Sequence, residues 1–282
     1  MTRYLIAGAG GMLGHDLRAA LVGRDVVALG RSELDITDAA AVADAVRGVD
    51  VVINAAAYTA VDAAEEHEDD ASAINATGAG NLARAAAGAG ARLVQVSTDY
   101  VFRGDATSPY PEDAPLDPLG AYGRTKAAGE RLVREAHPAP HIVRTAWLYG
   151  EHGASFPRTM LRLASERDTV SVVTDQVGQP TWTGDLAAAI VALLDADAPA
   201  GTYHGTNGGQ ASWFDFARAV FELAGLDPER VLPTDSASFV RPAPRPSYSV
   251  LAHGAWARAG LAEPRHWREA LEAAWEAGAL SS

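Results

Sequence analysis

The chain has 282 residues, 48% of them apolar, enough for one nucleotide-binding domain with a smaller partner. It contains no cysteine, which excludes disulfides, thiolate metal sites and cysteine nucleophiles and leaves any chemistry to oxygen and nitrogen groups. With 23 Lys and Arg against 36 Asp and Glu, the net charge of -13 argues against a nucleic-acid or anionic-membrane surface, while a small anion held by a few local cations or a helix N-terminus stays open.

YLIAGAGGMLGHDLRAAL, residues 4–21, reads as a short buried strand, a glycine turn and a helix. Gly8 suits the tight turn, Gly11 lets the backbone approach a pyrophosphate, and Gly14 lets the helix pack closely, so the phosphates meet the helix N-terminus. A second strand, DVVALG, ends at Gly30-Arg31-Ser32. An Arg here suits the 2′-phosphate of NADPH, where an acid would suit the ribose of NADH; Glu33, two residues on, keeps NADH as the alternative. Asp35 and Ile36 follow, placed to meet the adenine, and Thr37 or Asp38 caps the next helix.

The third strand runs into a small-residue turn at Asn54 to Ala57, where Ala56 and Ala57 let the backbone lie close to a cofactor. Glu65 to Asp70 then reads as a solvated helix face or loop; with one histidine among the carboxylates, no metal site is expected. A helix over 71–90 leads to the fourth strand, ARLVQVSTDYVF, with Ser97, Thr98 and Asp99 at its carboxyl end, where ligands bind in parallel sheets. Four prolines make 103–119 an extended loop. GAYGRTKAAGE, 120–130, opens a helix. Tyr122 and Lys126 stand four apart, a rotation of about 400° that puts them on one face. A nearby ammonium stabilises a phenolate, so the pair is a candidate acid whose phenol the lysine brings down from its usual value.

HIVRTAWLYG is the next strand, ASFPRTMLRLASERD a helix, and VSVVTDQVGQPTWTGDLAAAIVALLDAD a strand, a turn at Gly178 and Pro180, and an apolar helix. A proline-rich stretch with two arginines, RPAPRPSYSVL, and a terminal amphipathic helix close the chain. The alternation predicts βαβ units: an α/β fold, a Rossmann-type doubly wound parallel sheet with a smaller, discontinuous C-terminal substrate domain. The division expected is 1–150 plus 181–200 for the cofactor and 151–180 plus 201–282 for the substrate. No stretch approaches the roughly 18 apolar residues of a membrane span, and the opening residues lack the pattern of a signal peptide, so a cytoplasmic protein, monomer or homodimer, is expected.

GAGGMLG, the Asn-Ala-Ala-Ala turn, STDYVF and Tyr122-x-x-x-Lys126 together resemble the extended short-chain dehydrogenase/reductase superfamily. The 24 residues from Thr98 to Tyr122 resemble the spacing in its sugar-nucleotide enzymes. More narrowly, LDITD, NAAAYTAVDAAE, STDYVFRG, YGRTKAAGE, RTAWLYG, DQVGQPT and RPSYSVL resemble the dTDP-4-dehydrorhamnose reductases, over residues 4 to about 251. That resemblance implies NADPH-dependent reduction of the C4 ketone of dTDP-4-dehydro-β-L-rhamnose. Tyr122 would be the proton donor, Lys126 its partner and a ribose ligand, and Thr98 a donor to the carbonyl oxygen. It adds Met12, Leu13 and Tyr58 to the cofactor site, and makes Thr59, Val61, Asp99, Tyr100 and Trp147 substrate candidates beside Thr98 and Tyr122. Val61 reads equally as packing, and Arg241 and Arg245 either reach the substrate diphosphate or belong to a solvated loop. A dehydratase is disfavoured because Tyr100 stands where those enzymes carry glutamate. An epimerase, a reductase of a related 4-keto sugar, and a non-catalytic NADP-binding regulatory subunit resembling the methionine adenosyltransferase β subunit are the alternatives.

Overall fold

The computed structural model describes residues 1–280. Six parallel strands form the main sheet: β1 (Arg3–Ala7), β2 (Asp25–Leu29), β3 (Val51–Asn54), β4 (Arg92–Thr98), β5 (His141–Thr145) and, after four two- to four-residue strands, β10 (Gly201–His204). Their order is β10-β5-β4-β3-β1-β2. The chain moves outward from β1 to β2, then crosses back to place β3 on the other side of β1. The carboxyl ends of β1 and β3 therefore diverge, opening the crevice where ligands of doubly wound sheets lie.

Alternate residues of each strand feed opposite faces, as the two-residue pleat requires. Tyr4 and Ile6 of β1 and Ile53 of β3 join Leu13, Leu17, Ile190 and Leu193 in one core. Leu5 and Val52 join Val42, Leu82, Val133 and Ile142 in the other. The helices on these faces are α1 (Met12–Ala20), α2 (Ala39–Ala45), α4 (Ala79–Ala89), α5 (Ala121–Ala136) and α7 (Thr183–Asp195). Asp38, not Thr37, caps α2, accepting from the amides of Ala40 and Ala41.

The helix expected over 71–90 is broken. α3 (Glu68–Ser72) gives way to i→i+5 turns over Ala73–Gly78 before α4. The wide turn is fixed from outside: the Asn75 amide bonds both backbone groups of Tyr58 and the Thr125 hydroxyl. Its carbonyl also lies where a side chain on Gly129 of α5 would be, 2.1 Å from that ideal Cβ. Such turns cluster at functional sites, and this one packs under the catalytic-helix candidate.

The smaller body has its own core, in which Tyr149, Met160, Phe216, Phe221, Trp267 and Leu271 meet. Its elements include α6 (Phe156–Glu166), β7 (Val170–Val173), α8 (Trp213–Leu223) and β12 (Val231–Thr234), which pairs with β7. β10, at the start of the stretch assigned by sequence to the substrate side, hydrogen-bonds with β5 and completes the main sheet. Among the described residues no helix is long and apolar enough to cross a membrane.

Candidate active site

The turn after β1 is built for close approach. Gly8 has φ +83°, a conformation L side chains rarely adopt, and a Cβ there would fall 2.5 Å from the Ala56 nitrogen; one on Gly14 would fall 2.4 Å from the Gly8 carbonyl oxygen. Gly11 is the N-cap of α1 and its amide bonds Gly8. Asn54 braces the opposing turn, accepting from the Ala56 amide and donating to Gln95.

Between these turns lies a cavity of about 840 Å³. It is lined by Gly8, Gly11, Arg31, Asp35, Ile36, Ala56, Ala57, Tyr58, Thr59 and, from the helix below, Ala73 and Ile74, so residues from four separate stretches converge on one space. Met12 and Leu13 open α1, with the Leu13 side chain turned into the core. The Asp35 carboxylate is engaged by the amide and hydroxyl of Thr37, which hold it below the usual carboxylate range. Arg31 is exposed and also borders a second cavity with His15, Arg18 and Ser32. Glu33 folds back onto the Gly30 amide at 2.8 Å. A glycine turn facing an alanine turn, open helix amides and a cation beyond β2 fit a dinucleotide carrying an extra phosphate.

A second cluster forms at the carboxyl end of β4. The Thr98 hydroxyl donates to Asp99 at 3.0 Å and accepts from the Tyr100 amide. The Tyr100 and Tyr122 rings meet edge to face, 5.5 Å apart. That approach requires Gly123: a Cβ there would be 2.2 Å from the Tyr100 carbonyl oxygen. Burial pushes the Tyr122 phenol up to about 12; the Thr98 hydroxyl, in hydrogen-bonding reach, opposes the rise and the Asp99 charge adds to it. Burial also raises Asp99 to about 6, against hydrogen bonding from Ser249 and Thr98.

Lys126 corrects the expectation that it brings the phenol down. Its ammonium is buried and donates to the Val96 carbonyl at 2.7 Å. Desolvation lowers its own pKa to about 8, opposed by the Glu130 charge. Glu130 in turn is held by the Ser97 hydroxyl at 2.6 Å and by both arms of Arg144. The structure thus gives a protonated phenol beside a hydroxyl, with a tethered cation one helical turn away.

Trp147 has φ 46°, rare for a bulky residue and the kind of strain found at functional sites. Its indole stacks on Trp213 at 3.6 Å, and a Cβ on Gly178 would strike it at 2.6 Å. Val61 is half-exposed in the loop beyond Thr59. Sequence reasoning missed Trp213 and read Gly178 only as a turn; the acidic stretch is the largely exposed turn and helix face expected, but two of its carboxylates have partners that reading did not give. Glu65 accepts from the Ala121 amide, the first of α5, and Glu68 forms a two-pronged pair with Arg124. The one local signal for Glu65 was an uncapped α5, since Gly120 offers no side chain.

Residues 2–279 match the family described as the RmlD substrate binding domain. A dTDP-4-dehydrorhamnose reductase of Streptomyces griseus is 52% identical over 95% of this chain and 91% of its own. A dTDP-4-keto-6-deoxy-D-glucose reductase of Streptomyces niveus is 50% identical over 97% and 96%. The crystal structure of dTDP-4-dehydrorhamnose reductase from Bacillus anthracis in complex with NADP superposes with a TM-score of 0.94 at 41% identity, covering 98% of this chain and all of that one. With a family match spanning nearly its whole length and half its residues shared with such relatives, the chain belongs to the dTDP-4-dehydrorhamnose reductase family.

Proposed function

We propose that the protein reduces the C4 ketone of dTDP-4-dehydro-β-L-rhamnose to dTDP-β-L-rhamnose with NADPH. The observation that carries this reading is the cluster at the end of β4, where a phenol held protonated sits beside the Thr98 hydroxyl and one turn from the buried Lys126. Bound in the Gly8 to Thr59 cavity, NADPH supplies hydride. As negative charge develops on the substrate oxygen, the Thr98 hydroxyl donates to it and Tyr122 transfers its proton there. The Lys126 ammonium, fixed by Val96, holds the nicotinamide ribose. Arg31 takes the 2′-phosphate, and Glu33, folded onto Gly30, does not oppose it. Thr59, Val61, Asp99, Tyr100 and Trp147 line the sugar-nucleotide side.

In this reading 1–150 with 181–200 form the cofactor unit and 151–180 with 201–282 the substrate unit, β10 being the piece of the latter bonded into the sheet of the former and Tyr149 a piece of the former buried in the core of the latter. A cytoplasmic monomer or homodimer serves such an activity. A second reading, reduction of a related 4-keto-6-deoxy sugar nucleotide, is favoured by the Streptomyces niveus relative, whose identity nearly equals that of the rhamnose-type enzyme. The test is Tyr122→Phe: it binds NADPH as wild type does while kcat falls roughly 10²–10⁴-fold. Unchanged turnover removes Tyr122 as the acid.

A further inference from the structure

The proline-rich stretch 241–246 is far from the cofactor cavity in sequence, yet it is fastened beside the catalytic cluster at three points. Pro246 lies against Gly104, where a Cβ would come within 2.5 Å of it, and Pro244 lies 3.4 Å from the Cβ position of Gly120, at the start of α5. The third point is Asp62, in the loop after β3. One of its oxygens accepts from Arg245 at 2.8 Å and from the Ala243 amide at 3.3 Å; the other is 3.7 Å from Arg241. A single carboxylate thus holds three residues of a segment about 180 positions away.

Arg245 is held by only one arm. Its Nη2 bonds Asp62, whereas its Nη1 is buried with no hydrogen-bond partner. A buried guanidinium nitrogen left unpaired is costly. Arg245 and Asp62 both act electrostatically on the Tyr100 phenol, and Tyr100 packs edge-on against Tyr122. The unpaired donor therefore stands beside the substrate candidates, on a strap whose three prolines restrict its backbone.

We propose that Asp62 is the positioning residue of this strap: by fixing Nη2 of Arg245 it aims Nη1 at an anionic oxygen of the substrate's diphosphate. This rests on the reading of the site as one for a nucleoside-diphosphate sugar. Two effects of removing the Asp62 charge oppose each other. Arg245 becomes a stronger free cation, but it and the strap lose their fixed geometry, and forked guanidinium recognition depends on geometry. Positioning dominates because Asp62 holds the backbone of the strap as well as the guanidinium.

The test uses the full chain loaded with NADPH, with thymidine diphosphate as probe in titration calorimetry, alongside steady-state kinetics. Asp62→Asn, which keeps one acceptor oxygen, weakens thymidine diphosphate binding and raises KM for the nucleotide sugar about tenfold, while kcat stays within threefold and NADPH affinity is unchanged. Arg245→Lys produces a similar loss, and the double variant is little worse than either single one, because each breaks the same link. Wild-type affinity in Asp62→Asn, tighter binding from release of a competing carboxylate, or additive losses in the double variant would each overturn the assignment. If the wild-type protein itself does not bind thymidine diphosphate, the nucleotide-sugar reading fails with it. If wild type binds and Asp62→Asn is unaffected, the positioning role alone fails.

Discussion

Lys126 donates its ammonium to the carbonyl oxygen of Val96 at 2.7 Å, so the cation four residues on from Tyr122 is anchored to the neighbouring strand. Burial disfavours its charge, lowering its pKa from 10.5 to about 8. The phenol is pushed the other way, to about 12. Over the neutral range the acid therefore stays loaded, and the group that titrates first on the alkaline side is the lysine. Activity is expected to hold below pH 8 and fall as pH rises through it. In Lys126→Arg, whose charge persists, that alkaline limb moves up by at least one pH unit, as read from kcat/KM profiles.

The same shift sets a stability expectation. A base whose folded pKa is depressed is charged in the unfolded chain and neutral in the folded one between about 8 and 10.5, so stability rises with pH across that window. Below it the fold carries a cost of about 3 kcal/mol from the buried charge, an upper figure because the Val96 bond returns part of it. Denaturant titrations at pH 8 and 10 show the rise in wild type, and Lys126→Met loses it.

Glu130 and Arg144 form a two-pronged pair with side chains 1% and 2% exposed, and Arg144 also donates to the Glu112 carbonyl. Glu130→Gln strands a buried guanidinium and is expected to cost about 3–5 kcal/mol, measured as a lower urea midpoint. Arg144 and the Ser97 hydroxyl outweigh burial and hold the Glu130 carboxyl below its usual range. The stability it adds is present above the ordinary glutamate pKa and is lost as pH falls through the lowered one.

Much of the local geometry around the Gly8 to Thr59 cavity was legible because its signals are local. The glycine spacing, the alanine turn and Asp38 ahead of an alanine-rich helix each depend on neighbours within a few positions, and the folded chain uses them as such. The partners of two carboxylates in the acidic stretch were not legible for the opposite reason. Glu65 and Glu68 find their partners 56 residues away, at Ala121 and Arg124, and no local pattern marks a carboxylate that caps a distant helix. Nor does sequence reveal that Lys126 turns to a strand carbonyl, or that Trp147 takes a positive φ because Trp213 and Gly178 hold its indole.

The glycine turn gives a sharp test of the cofactor site. A Cβ at Gly14 would lie 2.4 Å from the Gly8 carbonyl oxygen and 2.6 Å from the Ala9 Cα, both backbone atoms that cannot yield without moving the turn. Gly14→Ala is expected to cost about 1–3 kcal/mol in stability and to weaken NADPH binding more than tenfold, measured by fluorescence titration. In the lining of the adjoining cavity, Arg31→Ala is expected to weaken NADPH about 10–100-fold, the loss of one charge-assisted contact. NADH binding should stay nearly unchanged.

The central claim is that this chain transfers hydride from NADPH to a 4-keto sugar nucleotide and supplies the proton from Tyr122. The measurement that reaches it most directly is NADPH oxidation, followed at 340 nm (the absorbance of the reduced nicotinamide), by purified protein given dTDP-4-dehydro-6-deoxy sugars. The account predicts substrate-dependent oxidation, faster with NADPH than with NADH, abolished in Tyr122→Phe. Tight NADPH binding without turnover on any of these sugars would contradict it and make the chain a cofactor-binding regulatory protein.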